Sequence, residues 1–387
     1  MEGTPMDGFE TFVQVDLGAL ERNIDAIRRR VEFRKILLPV KANAYGHGLI
    51  EQSRSGEYSS PLVRWLQDRS AVDWLGVATV DEGVLLRAAG VTLPILKLSP
   101  AQNHELTRAV EAGLTLTVVD PVTIWAASAA AETLDRPTEV HLKIDTGMRR
   151  IGGPPALAAK LAELVEQSPY LHLQGVFTHF AASENPAEDD FTKQQLDKFV
   201  EAVTAIEDSL GRGIDLKHAA NSGAVERWPD SWFDMVRPGI LTYGYPQSPE
   251  PPIHVDPVLS LVSHVSFVKT VRAGETVSYG RTWTAPRDTK IATVPIGYGD
   301  GYSRRLSNQA TVAILGQRYV QVGAICMDQL MVDLGPDSTI GVGEQVTLIG
   351  RDGSEFIGAN DLGALGGTIS YEILCDIANR VARVYIG

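Results

Sequence analysis

Lys41 stands directly behind the apolar run "ILLPV" (36–40) and opens the string "KANAYGHG" (41–48). A lysine is most often a solvated or ion-paired residue. Held away from bulk water, however, its amine titrates lower than usual, and the neutral form makes a Schiff base with a carbonyl. Its company favours that second role. Lys143 and Asp145 lie in "EVHLKID" (139–145), His179 closes "LQGVFTH" (173–179), Asn221 closes "LKHAAN" (216–221) with Ser222 next, and Arg237 lies in "DMVRPG" (234–239). Two carbonyl partners suit such a lysine: a sugar phosphate, or the aldehyde of pyridoxal phosphate.

The elements that must position these residues repeat. With "WLGVA" (74–78), "PILKL" (94–98) and "LTLTVV" (114–119), the β-branched runs number eight, and helical stretches separate them. In "TVDEGVLLRAAG" Thr79 offers an N-cap, Glu82 follows three residues later, and Gly90 ends the pattern. Neither a dinucleotide G-x-G-x-x-G turn nor a P-loop follows the first run, so an α/β fold with an N-terminal (β/α)8 TIM barrel is expected rather than a doubly wound sheet. The C-terminal ends of barrel strands build the active site, which is where these residues fall. Barrels commonly bind phosphate with the loops after strands seven and eight, here "ANSG" (220–223) and "RPGI" (237–240).

At "YPQSPEPPIHVDP" (245–257) proline interrupts the pattern, placing a domain boundary there: a barrel over 1–250 and a mostly-β domain over 251–387. After it come short alternating strands and glycine-rich turns such as "KIATVPIG", "TVAILG" and "EQVTLIG". The strand "FVQVDL" (12–17) lies outside the eightfold count and is expected to join the C-terminal domain. The long link at 51–73 reads as a surface insertion.

Composition bounds the function. The net charge of -13 is spread along the chain, which argues against a nucleic-acid partner. The acidic start "MEGTPMDGFE" has no apolar export segment, and no stretch approaches the ~18 uninterrupted apolar residues of a membrane helix. A cytoplasmic protein is expected. Cys326 and Cys375 have no metal-ligand spacing and read as reduced, buried residues, so no metal site is expected.

The strings "VKANAYGHG" (40–48), "LGVATVDEG" (75–83), "HLKIDTGMRRIG" (141–152), "FTHFA" (177–181), "RPGI" (237–240), "VSYGRTW" (277–283), "PIGYGDG" (295–301), "CMDQLMVDLG" (326–335) and "ISYEILC" (369–375) resemble the alanine racemase family, in that family's order and across nearly the whole chain. The resemblance implies that Lys41 holds pyridoxal 5'-phosphate and that Lys41 and Tyr279 are two acid/base groups on opposite faces of the substrate's Cα. It implies a chain from Tyr279 through His179 to Arg237, with Arg237 at the pyridine nitrogen. Tyr45, Ser222, Gly239, Ile240 and Tyr371 then form the phosphate cradle. Arg150 and Met327 match substrate-carboxylate contacts, and Tyr298 and Asp328 match the substrate entrance. Lys143 matches a lysine that some members carry as a carbamate; unmodified pairing with Asp145 is the alternative. The active form implied is a homodimer whose sites are completed by the partner's β-domain, producing D-alanine for bacterial peptidoglycan.

The chain departs from the family pattern at Arg149, where glycine is usual, at Ala324, where a basic residue is common, and in the 51–73 segment. Three rival readings remain at this level. One is a serine or broad-specificity racemase of the same fold. The others are a decarboxylase, which Arg237 in place of a carboxylate disfavours, and a non-enzymatic pyridoxal-phosphate carrier, which the full β-domain disfavours.

Overall fold

The computed structural model describes residues 11–53 and 55–387, so the acidic N-terminal string lies outside the described residues. The chain divides into two compact units: one holds residues up to Ala19 with Tyr45–Gly48 and Pro257–Gly387, the other Leu20–Ala44 with Leu49–Asp256.

The second unit is the barrel. Its strands are Lys35–Pro39, Trp74–Val77, Ile95–Lys97, Leu116–Val118, Thr138–Lys143, Leu171–Phe177, Leu216–His218 and Met235–Val236, one for each of the eight expected runs. Parallel ladders join neighbouring strands, and Met235–Val236 returns to Lys35–Ile36. A bridge between Leu96 and Thr115 and a bond from the Asp234 N–H to the Lys217 carbonyl (3.0 Å) complete the circuit. Leu37, Trp74, Leu96, Leu216 and Met235 pack as one buried cluster, each worth about 1.5–3 kcal/mol of burial.

Local chemistry sets the helix limits. Thr79 and Glu82 make the reciprocal capping box the spacing predicts, starting helix Val80–Ala88. Asp120 caps helix Pro121–Thr133 with proline in its first turn, and Gly211 at φ 65° stops helix Asp189–Leu210. The 51–73 segment differs from expectation. The hairpin of Glu51–Gln52 with Tyr58–Ser59 is at the surface, but helix Pro61–Asp68 buries Leu62, Val63 and Leu66 and is the barrel's own helix between strands one and two.

The other unit carries a sheet in the order Phe267–Val271, Thr289–Val294, Leu330–Gly335, Gln317–Gln321, Thr311–Ile314, Gln345–Asp352, Leu259–His264, Phe12–Asp16, Ala382–Ile386. The chain's first strand therefore sits in this sheet, antiparallel to Leu259–Val262 and parallel to Ala382–Ile386. Its alternation explains the placement, since Val13 and Val15 are fully buried while Phe12, Gln14 and Asp16 are not. Neither cysteine is in a disulfide, but the expectation of burial fails: Cys326 is half-buried, and Cys375 is exposed on the short helix Ser370–Cys375.

Residues Tyr45–Gly48 also pack in this unit. Arg383 donates from Nε (3.1 Å) and Nη2 (3.0 Å) to the Gly46 carbonyl, and the buried His47 ring meets the Tyr45 carbonyl through Nδ1 at 3.0 Å. Gly46 has φ 84°, and a Cβ there would lie 2.0 Å from the Leu374 carbonyl oxygen. Gly46→Ala is thus expected to cost more than about 2 kcal/mol, read as a lower urea midpoint. Gly90→Ala, at φ 82° with nothing within 4 Å, should cost only about 1 kcal/mol.

Candidate active site

Lys41 directly follows the first barrel strand and its backbone leads into a left-handed turn: Ala42, Asn43, Ala44 and Tyr45 have φ between 51° and 56°. For residues with a Cβ this costs about 1 kcal/mol each, so the surroundings must hold it. The Ala42 N–H donates to Glu82 Oε1 (2.8 Å), the Ala44 N–H to the Val40 carbonyl (2.9 Å), and the Leu49 N–H to Asn43 Oδ1 (2.7 Å).

Inside the barrel, strand alternation brings the remaining cations together. His141 and Lys143 are two apart on one strand, and Phe177 and His179 on and just beyond the next, so each pair shares a face. Lys143 Nζ stands 5.2 Å and the Arg237 guanidinium 5.4 Å from the Phe177 ring centroid. Burial, then the charges of Arg237, Arg150 and Lys41, pull the Lys143 amine down to about 7, against a smaller opposing effect of Asp145. The same cations, behind burial, keep His179 well below its ordinary value.

Arg237 is only 5% exposed and donates to neutral acceptors: His218 Nδ1 (2.8 Å), the carbonyls of Thr178 (2.6 Å) and Ala219 (3.0 Å), and His179 Nδ1 (3.4 Å). Arginine can only donate, so His218 Nδ1 accepts and its proton resides on Nε2, which donates to His141 Nδ1 at 2.9 Å. His141 Nε2 then donates to Gln174 Oε1 at 3.2 Å. Both histidines are held neutral, chiefly by burial. Ser222, 4% exposed, begins a short helix, and its Oγ accepts the Leu241 N–H at 3.3 Å from the loop that holds buried Gly239 and Ile240.

The β-rich unit holds the other expected residues. Tyr45 and Tyr371 meet with ring centroids 5.9 Å apart. Burial, then Tyr371 and Cys375, push the Tyr45 hydroxyl up, so it remains an O–H donor. Tyr279 is 68% exposed, in a turn where Ser278, Gly280 and Arg281 have positive φ. Ser278 Oγ donates to the Ala324 carbonyl at 2.6 Å, which ties the turn to the loop carrying Met327. On that loop the Cys326 carbonyl accepts the Tyr298 N–H (3.1 Å), and Asp328 accepts from Arg380 (2.7 Å), which also bonds Asp300 (2.8 Å). The structure therefore groups Tyr279, Tyr298, Met327 and Asp328 in one unit, and Lys41, Lys143, Arg150, His179, Ser222 and Arg237 in the other.

Sequence reasoning missed His141, His218 and Gln174. The alternation of His141 with Lys143 was the available signal. The departures also find places. Arg149 occupies a left-handed position (φ 56°) where glycine would be unstrained, held as its N–H donates to Asp145 Oδ1 (3.0 Å), and Ala324 is buried beside the Tyr279 turn. Among the described residues no group of three or more His, Cys, Asp or Glu is placed to hold a metal ion, and no helix is long and apolar enough to cross a membrane.

A (β/α)8 barrel with a lysine and a cation cluster at its mouth, followed along the chain by a β-domain presenting an exposed tyrosine, defines the class. Residues 15–247 match the alanine racemase N-terminal domain and 258–385 the alanine racemase C-terminal domain. The chain belongs to the alanine racemase family. It is 47% identical to the alanine racemase of Cutibacterium acnes over 96% of this chain and 97% of that one. Among solved structures, alanine racemase from Clostridium difficile 630 superposes with TM-score 0.88 at 35% identity, covering 98% of this chain and 96% of that one. Histidine racemase from Leuconostoc mesenteroides subsp. sake gives 0.87 at 28% identity, covering 100% of both.

The depressed Lys143 amine gives a signed prediction. From pH 10.5 down to about 7 the unfolded chain binds a proton that the folded chain does not, so stability falls as pH falls, by up to about 1.4 kcal/mol per unit, and below about 7 the penalty is complete. Lys143→Met is expected to lose this slope in urea unfolding between pH 7 and 10 in buffer free of carbon dioxide.

Proposed function

We propose that this protein interconverts L-alanine and D-alanine with pyridoxal 5'-phosphate, using Lys41 and Tyr279 as the two acid/base groups. The observation that carries the reading is Lys41 at the mouth of a barrel where, behind burial, Arg150 and Arg237 lower the Lys143 amine and, with Lys143, the His179 ring. Such a cluster fits a ligand bearing a phosphate, a phenolate oxygen and a carboxylate. Arg237 fits the same reading, as a buried cation bonded, among the described residues, to the neutral acceptors described above. Lys41 would hold the cofactor covalently, with Tyr45, Ser222, the backbone of Gly239 and Ile240, and Tyr371 around its phosphate.

When bound, the cofactor supplies an electron sink that acidifies the substrate's Cα–H. Racemisation then needs a proton to leave one face of Cα and another to arrive on the opposite face. Lys41 exchanges the proton of the D-isomer and Tyr279 that of the L-isomer. Arg237 would donate a hydrogen bond to the pyridine nitrogen without giving up its proton, which limits how much charge the ring draws off. His179 accepts from Arg237 at Nδ1, leaving an N–H on Nε2 that can stabilise a tyrosinate. Arg150 and the Met327 backbone would hold the substrate carboxylate, with Tyr298 and Asp328 at the entrance.

Tyr279, 68% exposed in its own unit, suits a homodimer in which each β-domain serves the partner's barrel, probed by mixing Lys41→Ala and Tyr279→Phe chains to regain activity. An amine titrating at about 7 adds carbon dioxide readily, and a carbamate on Lys143 would offset the cations around it. D-alanine for peptidoglycan, made in the cytoplasm, is the physiological role this reading gives. The likeness to a histidine racemase favours one second reading, a broader substrate range on the same machinery.

Borohydride reduction followed by peptide mapping is expected to fix the cofactor on Lys41; fixation elsewhere would falsify the assignment. Tyr279→Phe should slow racemisation in both directions by about a hundredfold to ten-thousandfold, while D-alanine still exchanges its Cα proton with deuterated solvent. Intact L-to-D conversion in that variant would sink the two-base reading. Turnover of L-alanine above L-serine, L-lysine and L-histidine is expected; a reversed order would favour the broader range.

A further inference from the structure

The spacing from Thr79 makes Glu82 a helix-capping residue, and a capping box asks little of its carboxylate: one bond to the N-cap N–H. Here the carboxylate does more. Oε2 accepts the Thr79 N–H at 3.1 Å and also the Ala78 N–H at 2.7 Å. Oε1 reaches another element altogether and accepts the Ala42 N–H at 2.8 Å. Ala42 is the residue immediately after Lys41 and the first of the left-handed run. A single side chain thus joins the head of helix Val80–Ala88 to the backbone that follows the lysine.

We propose that Glu82 is a positioning residue for Lys41: its carboxylate holds the strained turn behind the lysine and so fixes where the amine stands. The proposal rests on the reading of Lys41 as the cofactor-holding residue. The geometry accounts for the residue type. A carboxylate has two acceptor oxygens with four lone-pair sites and takes three N–H groups without conflict. A glutamine amide has one oxygen and would turn its own N–H₂ toward a donor. Aspartate keeps the charge but is one methylene shorter, so it cannot span from the helix head to Ala42. The turn needs such a hold because an L-residue at φ 51° returns to a right-handed or extended conformation when nothing opposes it. Ala44 and Asn43 are held further along, by the bonds to Val40 and from Leu49, but the step adjoining the lysine is the one that Glu82 anchors.

Thr79 separates the two roles of Glu82. The Glu82 N–H donates to Thr79 Oγ1 at 3.1 Å, so Thr79→Ala weakens the helix cap and leaves the carboxylate's bond to Ala42 untouched. The experiment compares wild type with Glu82→Gln, Glu82→Asp and Thr79→Ala, each checked for fold by circular dichroism. Apo-protein is given pyridoxal 5'-phosphate and its uptake followed by visible absorbance. The adduct is then reduced and mapped, amide exchange of the 41–45 peptide is measured, and kcat and KM for L-alanine are determined. Glu82→Gln and Glu82→Asp are expected to take up cofactor about tenfold more slowly and to exchange faster across 41–45. They should lose about tenfold to a hundredfold in kcat, with KM within about twofold. Thr79→Ala should melt lower, with uptake and kcat within about twofold of wild type.

Uptake and kcat unchanged in Glu82→Gln would overturn the proposal, as would Thr79→Ala matching the glutamine variant, or Glu82→Asp behaving as wild type. Cofactor fixed elsewhere than Lys41 in wild type would instead overturn the reading of Lys41 on which the proposal rests.

Discussion

The buried guanidinium of Arg237 sets the terms for everything near it. It donates from its two Nη atoms to histidine nitrogens and main-chain carbonyls, acceptors that carry no charge. A charge in that position fixes the tautomer of His218, and through it that of His141, because each ring must accept on one side and donate on the other. It also lowers the Lys143 amine and the His179 ring. Such a site favours anionic ligands before any one contact to them is specified. It also favours neutral amines, the form in which lysine acts on carbonyls and protons.

A second constraint is mechanical. The run from Ala42 to Tyr45 is held in a conformation that the isolated chain would avoid, and the means are dispersed: a glutamate on a neighbouring helix, an asparagine inside the turn, and a histidine whose ring nitrogen meets the Tyr45 carbonyl. His47 and Asn43 serve the backbone of this turn. Their types are explained by the turn. Strain of this kind persists only where the surroundings over-determine it, and it is concentrated beside the reactive lysine.

Much of this was legible beforehand. The eight β-branched runs gave the barrel strands, since a strand buried in a parallel barrel reads as a short apolar segment whatever its neighbours do. Placing the cations at strand ends followed from that count, and Thr79 with Glu82 announced a helix start. What could not be read was three-dimensional company. Nothing in "HLKID" or "LKH" says that His141 and His218 bond each other over the strand between them, and nothing in a capping motif says that its glutamate also serves a turn 40 positions earlier. Helix Pro61–Asp68 was hidden because a polar hairpin precedes it, so a normal barrel helix looked like part of an insertion. Cys375 was misjudged because a six-residue helix gives too short a periodic pattern to tell its faces apart.

The place of strand Phe12–Asp16 bears on how the chain folds. It precedes the whole barrel in the sequence, yet its partners, Leu259–Val262 and Ala382–Ile386, both follow the barrel. Its buried valines must wait through synthesis of the whole barrel before the sheet can close over them. Contacts so distant in sequence impose a large loop-closure entropy and slow the step that makes them. Until those partners have been made, an apolar edge stands open to misplaced pairing.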